Sequence, residues 1–575
     1  MGVVPDSAAT QLGSVEPHFT IGLKEIDDAY EECVRLDSGH STISAPSSYS
    51  NLPLNLPELP DAVWQGIFEL ALPAENPSNQ IYSELPSRNE VPMSLTQICH
   101  SWRKIAMGTS QLWTTINAEL KRSTDKQFRV YPRVELIEKW LQLSALLPLS
   151  ISIVVYHRQL PIKEDDVYTP LVTLLLRRLF LEFTRWKSAH LSLPDISFDR
   201  LQGYLKSVTA APALETLVLT TKYDILEPSG NSTTDETLGA LVARRYLPTQ
   251  LWANSPRLRR FVIDHTIPDN RTDAVNLAKL HPTVPGWLTP TSLIPFHQLT
   301  LLQLDGHERE TVTIPELLQI LRLSPNLVTC RVLQIEISEL PPDDSEDPIF
   351  YLLYLRDLRL DVCLADNDTI YVLGNKYTSL TRILTYFRAP ALAHLALCYD
   401  EILDLNCLDS FLQNSSCSLR ELELYCSPLR PGEFVTCLRL VPTLRSFRYG
   451  HINPEYELDS EWTRFQELAI WDDQKSQFKL CPLLEELTVD SSTLEPIEGS
   501  EVSDTAFADM IKRRLAHGGL PVVEPCFTTL TLTGHHTLEE DFPEYAALEQ
   551  LCCPPFNLVL RSAKRYDSDS SYLNF

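Results

Sequence analysis

The side chains best suited to chemistry in this 575-residue chain are two adjacent pairs near its C-terminal end, His535-His536 and Cys552-Cys553. Imidazole and thiolate groups are the usual ligands of structural zinc, which is held by four such groups at short, regular spacing. Adjacent side chains point to opposite faces of a strand, and no four-ligand spacing surrounds either pair. We therefore expect neither a metal site nor a bound cofactor.

Sequence motifs with a known catalytic mechanism are absent. The chain contains no Gly-x-Gly-x-x-Gly, no phosphate-binding Gly-Lys-Ser/Thr loop, no His-Glu-x-x-His and no Gly-x-Ser-x-Gly, and it has only 18 glycines. His100 lies on the polar side of a predicted helix, where a solvated histidine is a simpler interpretation than a catalytic one. The sequence therefore favours a protein that binds others and is not an enzyme.

The charge balance excludes two classes of partner. With 49 basic and 76 acidic residues the net charge is −27, which repels nucleic-acid phosphates and anionic lipid surfaces. The most apolar stretch, Leu141 to Tyr156, contains Pro148 and several polar residues, so it predicts a helix end and a buried strand instead of a membrane span. Because the N-terminal residues carry no signal-peptide pattern and the thirteen cysteines are sparse, we expect a cytoplasmic or nuclear location.

The two ends of the chain are poor in core-forming residues. Residues 1–55 are rich in serine and acidic residues and are expected to be mostly disordered, with one short amphipathic helix that carries Ile26, Tyr30, Cys33 and Val34. Residues 563–575 are expected to be a disordered tail. Its acidic serine cluster is also compatible with a phosphorylation site, although a plain disordered end is the simpler interpretation.

Residues 56–116 carry a compact helical pattern. A first helix is predicted after Pro60, with Val63, Ile67 and Leu70 on one stripe beside Trp64 and Phe68. A loop over residues 74–92 follows. A second helix is predicted from Ser94, whose hydroxyl would form a capping box with Gln97, and Gly108 would end it. Its apolar residues fall on one predicted face, which consists of Leu95, Ile98, Cys99, Trp102, Ile105 and Ala106. Leu112 and Trp113 follow in a short turn.

From residue 181 to residue 562 a short motif recurs, with apolar side chains at the first, fourth and sixth positions of a strand. Its eleven instances are Trp186-Ala189-Leu191, Leu214-Leu217-Leu219, Leu258-Phe261-Ile263, Leu299-Leu302-Leu304, Leu327-Cys330-Val332, Leu355-Leu358-Leu360, Leu392-Leu395-Leu397, Leu419-Leu422-Leu424, Leu444-Phe447-Tyr449, Leu484-Leu487-Val489 and Phe527-Leu530-Leu532. Helical patterns precede several of them, over residues 238–246, 315–323, 434–440 and 503–516. A strand–helix unit of this kind cannot cover its own apolar face, so neighbouring units must stack.

The predicted fold class is therefore α/β. It consists of a small helical domain over residues 56–116, a linking helix and strand region over 117–180, and an irregular leucine-rich solenoid over 181–562 with a curved parallel sheet. Each strand contributes three apolar side chains that are worth roughly 1.5–3 kcal/mol apiece when buried.

The helical region resembles the F-box of fungal F-box proteins that carry leucine-rich C-terminal regions. The residues that carry the resemblance are Leu59-Pro60, Val63-Trp64, Ile67-Phe68, Leu95, Ile98-Cys99, Trp102-Arg103, Ile105-Ala106 and Leu112-Trp113. The chain departs from the family at Ala62, where the family often has Glu, and in its longer 74–92 loop. In that family the F-box binds a Skp-type adaptor, which in turn binds a cullin.

The resemblance implies the function of a substrate receptor in a Skp-cullin-F-box ubiquitin ligase, with an unknown protein substrate bound by the leucine-rich repeats. It implies an adaptor-binding set of Leu59, Pro60, Val63, Trp64, Ile67, Phe68, Leu95, Ile98, Cys99, Trp102, Ile105, Leu112 and Trp113. The residues themselves leave two other interpretations open. The chain is either a leucine-rich scaffold with no ligase, or its two helices merely cap the open end of the solenoid.

Overall fold

The computed structural model describes the greater part of the chain from residue 59 to residue 562. The described residues are 59–72, 91–122, 128–155, 165–194, 210–222, 252, 254–266, 294–305, 312–336, 349–362, 380–398, 403–425, 429, 431–450, 465–490, 506–517, 527–534, 548–551 and 556–562. They belong to two compact units that divide after Trp64, inside the first helix.

A mixed but mainly parallel sheet dominates the second unit, as the repeated strand motif predicts. Its strands within the described residues are β1 Thr115–Arg122, β2 Phe128–Tyr131, β3 Leu149–Val155, β4 Trp186–Pro194, β5 Thr216–Lys222, β6 Arg260–Thr266, β7 Leu301–Asp305, β8 Val312–Thr313, β9 Thr329–Glu336, β11 Asp357–Val362, β13 His394–Cys398, β14 Glu421–Tyr425, β15 Ser446–Gly450, β18 Glu486–Asp490, β19 Thr529–Gly534 and β20 Asn557–Ser562. Two small two-stranded sheets pair β10 Phe350–Tyr351 with β12 Phe387–Arg388 and β16 Trp471–Asp472 with β17 Gln477–Phe478.

Strand order in the large sheet follows chain order almost throughout. It runs β2-β1-β3-β4-β5-β6-β7-β9-β11-β13-β14-β15-β18-β19-β20, with β8 paired beside β9. Among the strands that the structure describes in this sheet, only the β1–β2 pair at one edge is antiparallel, and these strands do not close into a barrel. Consecutive parallel neighbours of this kind arise when each connection brings the chain back to the end of the sheet at which the previous strand began.

The apolar positions of the motif form continuous rows across the sheet. Leu358 pairs in register with Cys330 on one side and with Leu395 on the other, and the same row continues through Leu422 and Phe447. Every apolar side chain of the eleven predicted motifs is at most 3% exposed. The prediction of these eleven strands and of their buried faces is confirmed.

Three strands of the large sheet extend this pattern beyond the motifs identified in the sequence. In β1, Ile116 and Ala118 occupy the same rows as Ile151 and Ile153 of β3, and all four are buried. The sheet therefore begins at Thr115, within the residues assigned to the helical domain and the linking region. Strand β20 extends the apolar rows by one strand at the other edge, where Leu558 pairs with Leu530.

Of the described helices, α1 to α3 precede β1 and the others lie on connections between strands. Their bounds are α1 Asp61–Leu70, α2 Leu95–Ile98, α3 His100–Gly108, α4 Val134–Leu143, α5 Asp165–Phe180, α6 Ile314–Leu323, α7 Leu405–Ser415, α8 Pro431–Leu440 and α9 Ala506–His517. The helices predicted over 315–323, 434–440 and 503–516 are confirmed within three residues at each end. The helix end and buried strand predicted over Leu141–Tyr156 are also confirmed.

Local chemistry accounts for two of these connections. Thr313 and Glu316 form a capping box at the start of α6, which satisfies backbone groups that the first helical turn leaves unpaired. In α9 the Arg514 side chain is 2% exposed and donates hydrogen bonds to the backbone carbonyls of Leu468, Leu480 and Cys481 at 2.7–3.2 Å. It fixes the 465–481 connection to the last described helix.

Other predictions fall outside the described residues. These are the N-terminal arm with its short helix, the 74–90 part of the loop, the helix over 238–246, the two candidate ligand pairs at 535–536 and 552–553, and the C-terminal tail. Among the described helices, none combines the length and the hydropathy that crossing a bilayer demands.

Candidate protein-docking surface

Helix α1 begins where the sequence predicts. The Pro60 carbonyl accepts hydrogen bonds from the Val63 and Trp64 amides at 2.8 and 3.3 Å, and Asp61 lies in the first turn, where a negative charge is favourable. The helix has both a buried and an exposed apolar side. Phe68 is 1% exposed, whereas Val63, Ile67 and Leu70 are 44%, 42% and 87% exposed.

The buried side of α1 meets the rest of the helical region through an aromatic pair. The ring centroids of Phe68 and Trp102 lie 4.9 Å apart at a tilted angle. Offset or tilted aromatic contacts of this kind add to the burial of apolar area. Phe68 therefore packs α1 against Trp102 of α3. Trp102 is only partly exposed because one of its faces lies against the Phe68 ring.

The second predicted helix starts at Ser94 as expected, but the predicted capping box is wrong and the helix is interrupted. Ser94 is itself helical and makes no side-chain cap; Thr96 Oγ and Gln97 Nε2 instead donate to the Met93 carbonyl at 2.7 and 3.2 Å. The helix then breaks at Cys99, which is extended with φ −157° and ψ 167°. Its thiol accepts a hydrogen bond from the Trp102 amide at 3.4 Å and so caps α3.

This break overturns the prediction of one continuous apolar face. Leu95, Ile105 and Ala106 are buried, as a single face requires, but Ile98 is 55% exposed and Cys99 is exposed as well. One extended residue between two helical segments changes the direction of the side chains that precede it relative to those that follow. The short helix α2 therefore presents an isoleucine to solvent.

Basic residues follow this exposed isoleucine in the sequence. His100, Arg103 and Lys104 are all exposed on the first turns of α3, and the Arg103 side chain donates to the Thr96 carbonyl at 2.8 Å, which ties α3 to α2. An apolar side chain close in sequence to the charged Arg103 and Lys104 suits a partner that offers an apolar pocket with an acidic rim.

Leu112 and Trp113 lie in the interior. They are 2% and 3% exposed, Trp113 Nε1 donates to the Ala106 carbonyl at 2.9 Å, and the Trp113 ring lies 6.0 Å from that of Trp140 in α4. Trp113 stands three residues before Ile116 and so takes the first position of the strand motif, while Ile116 takes the second apolar position in the row of Ile151 and Ala189. Leu112 and Trp113 join the helical segment to the sheet, and a partner has no access to them in this arrangement.

The predicted adaptor-binding residues thus separate by exposure. Those that are exposed are Pro60, Val63, Ile67, Ile98 and Cys99; those that are partly exposed are Leu59, Trp64 and Trp102; those that are buried are Phe68, Leu95, Ile105, Leu112 and Trp113. Leu70, at 87%, is more exposed than Val63, Ile67 or Ile98, and it lies outside the predicted set. Its position on the stripe of α1, beside Ile67, is the signal that identifies it.

A second surface with distinctive chemistry is the polar face of the large sheet, which we define as the side opposite the leucine rows. At β9–β13 it carries a charged trio. Arg331 Nη2 lies 2.9 Å from Asp357 Oδ2, and His394 Nδ1 lies 2.8 Å from Asp357 Oδ1. Burial alone raises the pKa of Asp357, but the hydrogen bond from His394 and the charge of Arg331 outweigh it and leave that pKa below its ordinary value.

A second charged group lies beside this trio on β11–β15. Arg359 Nε lies 3.2 Å from Asp361 Oδ1, while Glu423 Oε1 accepts from Arg448 at 3.3 Å and lies 3.6 Å from Arg359. Burial tends to raise the pKa of Glu423, but the two arginines hold it below its ordinary value. At Asp361 burial prevails over Arg359 and the pKa is raised. These opposed charges compensate one another across five strands.

The described cysteines offer no reactive thiol at the sheet. Burial raises the pKa of Cys330, Cys437 and Cys481 to about 12 in each case. A thiol is nucleophilic only as the thiolate, so these three are packing residues. Within the described residues no group of His, Cys, Asp and Glu side chains is arranged to hold a metal ion.

The arrangement of these two surfaces suits the binding of macromolecules. Apolar side chains stand in solvent on short helices, and a compensated network of charges spans the middle of a broad sheet. No protein-family model matches this chain, and no curated protein is significantly similar to it.

Proposed function

We propose that this chain is an F-box substrate receptor, in which residues 56–116 bind a Skp-family adaptor and a leucine-rich solenoid binds a protein substrate. The observation that carries the proposal is the exposure of Ile67, Leu70 and Ile98 on two short helices whose opposite sides are buried. Large apolar side chains gain free energy when a partner covers them, so their exposure on a defined element favours a docking role.

The order of elements supports the same proposal. A Leu-Pro start, two short helices and the Leu112-Trp113 turn precede an array of parallel strands that share one apolar pattern. A helical cap with no partner requires only its buried residues, namely Phe68, Leu95, Ile105 and Trp113. It leaves the exposure of Ile98 and Leu70 without a function.

The polar face of the sheet supports a binding role for the proposed solenoid. Its charged side chains are held in place by their neighbours, so they are already oriented when a substrate arrives. As a receptor the chain would form and break no bonds. It would raise the concentration of a substrate lysine near a ubiquitin-charged enzyme, while the adaptor and a cullin supply the rest of the ligase.

The test is adaptor binding by the full chain. We expect Ile67→Asp together with Ile98→Asp to weaken binding to a Skp-family adaptor by about a hundredfold, because each buries a charge in an apolar contact. Isothermal calorimetry or pull-down with purified adaptor measures this. From the sequence, Phe68→Ala and Trp102→Ala are each expected to cost on the order of 2 kcal/mol in adaptor binding. Because the Phe68 ring is buried, Phe68→Ala would also affect folding and is the less informative of the two.

Leu181→Asp provides the matched control, since Leu181 is 70% exposed and lies on a different connection of the sheet. It should leave adaptor binding unchanged. Failure of the wild-type chain to bind any Skp-family adaptor, or to copurify with a cullin, would favour the alternative of a leucine-rich scaffold outside a ubiquitin ligase. Equal binding by wild type and the double aspartate variant would exclude this surface as the contact.

A further inference from the structure

The two edges of the large sheet differ in the features that prevent an edge strand from pairing with another chain. At one edge lies β2, which has four residues and is followed directly by Pro132. At the other edge lies β20, a strand of six residues that contains neither proline nor lysine. Short length, proline and lysine are usual protections of an edge strand. Of these two edges among the described strands, only that of β20 lacks all three.

The backbone of β20 directs alternate residues to its two sides. The Asn557 amide donates to the Thr528 carbonyl at 2.8 Å, so the backbone groups of Asn557 face β19, and those of every second residue after it do the same. The residues whose N–H and C=O groups face away from β19 are Leu558, Leu560 and Ser562. Among the described strands, none pairs with β20 on that side. The outer side of β20 is therefore a template for one more strand.

The side chains of β20 are less well covered than those of the strand beside it. Leu530 of β19 is fully buried, whereas its register partner Leu558 is partly exposed. Val559, on the polar face beside Thr531, is partly exposed as well. Inside the sheet an apolar position such as Leu358 has a paired strand on both sides. A further strand with apolar residues in the same rows would therefore cover Leu558 and remove apolar area from water.

The sequence of β20 is complementary to itself in the antiparallel direction. Its central residues, Leu558-Val559-Leu560, read the same both ways. If Val559 lies opposite Val559 of a second copy, Leu558 of each copy lies opposite Leu560 of the other. These are residues whose backbone groups face outward, so the two pairs would exchange about four interchain hydrogen bonds. The one charged residue of the strand, Arg561, would lie opposite Asn557 and meet no like charge.

The neighbouring symmetric register of two β20 strands matches less well. Centred on Leu560, it would place Val559 opposite Arg561 and Leu558 opposite Ser562. A contact between two identical surfaces uses every residue twice, so the self-complementarity of β20 selects a second copy of this chain as the occupant. A two-fold axis perpendicular to the sheet, between the two Val559 residues, keeps the leucine rows of both copies on one side of the combined sheet.

We propose that β20 is a dimerisation edge, at which a second copy of this chain adds its own β20 in antiparallel register about Val559. The sheet then continues from one copy into the other, and Leu558 is covered on both sides. The contact is small, so the dimer is weak and reversible, with a dissociation constant on the order of 10 µM. This edge shares no residue with the proposed adaptor-binding surface, and its pairing does not depend on adaptor binding.

Sedimentation equilibrium of the full chain tests for the dimer. The wild-type chain should pass from mainly monomer to mainly dimer between roughly 1 and 100 µM, as the expected dissociation constant requires. A chain that stays monomeric throughout this range would overturn the proposal. A dimer supports it only if the substitutions at Val559 described next change its stability as expected.

Charge substitutions at Val559 test the register. Val559→Lys and Val559→Glu should each weaken the dimer at least about tenfold, because like charges would meet at the two-fold axis. An equimolar mixture of the two variants should recover a dimer, which also shows that both are folded. Thr488→Lys is the matched control and should dimerise like the wild type, since Thr488 lies in the same row two strands away, about 10 Å by the usual strand spacing. A Val559→Lys dimer as stable as the wild type, or no recovery on mixing, would refute pairing about Val559.

A cysteine at the same position gives a second test that disturbs the strand little. Directly opposed residues of a non-hydrogen-bonded antiparallel pair have Cα atoms about 4.5 Å apart, which a disulfide can span. Val559→Cys should therefore form a covalent dimer on mild oxidation, seen on a non-reducing gel. Its yield should exceed that of the wild type and of Thr488→Cys at least about fivefold, because only Val559 meets its own copy across the axis. Equal yields from the three proteins would contradict the proposal.

Discussion

The sheet and the helical segment that precedes it differ in how their sequences determine structure. The eleven predicted strands of the sheet repeat the same three apolar positions, and every one of their predicted side chains is buried. The helical segment carries a pattern that occurs once, and its predicted residues separate into buried, partly exposed and exposed groups. The orientation of a side chain in the sheet is determined by paired strands on both sides. The orientation of Ile98 is determined only by its own four-residue helix.

This difference separates stability from recognition. The leucine rows continue from strand to strand, so each unit contributes an interface to the next and the array is stable as a sum of such interfaces. The helical segment has two sides with different roles: Phe68, Leu95 and Trp113 fix it in place, and Ile67, Leu70 and Ile98 remain exposed. The substitutions below act on one role at a time.

Trp113→Ala should have the largest effect on stability. The ring is 3% exposed, lies against Trp140 and donates to the Ala106 carbonyl, so its removal leaves a cavity and takes away one of the two hydrogen bonds that this carbonyl accepts. We expect a loss of about 4 kcal/mol in the free energy of unfolding, measured by urea denaturation. An adaptor-contact residue would instead lose adaptor affinity at unchanged stability, and that outcome would contradict the buried role assigned here.

The sequence predicted the sheet better than the candidate site for a physical reason. Recurrence identified eleven strands although each motif is weak, but it missed β1, where Trp113, Ile116 and Ala118 fill the leucine positions with residues of very different size. The prediction of a single apolar face over residues 95–106 depended on an unbroken helix. The extended backbone of Cys99 is a tertiary outcome that no spacing of apolar residues reveals.

Leu358→Ala tests the contribution of the repeated leucine rows in the middle of the sheet. Leu358 is fully buried between Cys330 and Leu395 in adjacent strands, and its loss should cost about 3 kcal/mol of unfolding free energy. Leu181→Ala, at a leucine that is 70% exposed, should change stability by less than about 0.5 kcal/mol. Similar losses for the two variants would show that the leucine rows do not form the core.

The charged network should give the sheet a measurable pH dependence. The pKa values of Asp357 and Glu423 are lowered in the fold, so their contribution is present above the ordinary carboxyl pKa and is lost as the pH falls through the folded value. Asp361 acts in the opposite sense because burial raises its pKa. We expect unfolding free energy to fall on acidification below about pH 5 and to fall less steeply in Glu423→Gln. An equal slope in both proteins would remove Glu423 from the network.

Ile98→Ser should have the smallest effect on stability and thereby sharpens the comparison most. The side chain is 55% exposed on a four-residue helix, so its replacement should change the free energy of unfolding by less than about 0.5 kcal/mol. Ile105→Ser, seven residues later on α3 and 6% exposed, should cost about 3 kcal/mol because it opens a cavity and buries a hydroxyl. Thermal unfolding of the two variants side by side measures the difference. If Ile98→Ser proved as destabilising as Ile105→Ser, Ile98 would belong to the interior, and the exposed apolar side of the helical segment would lose the residue on which its proposed docking role most depends.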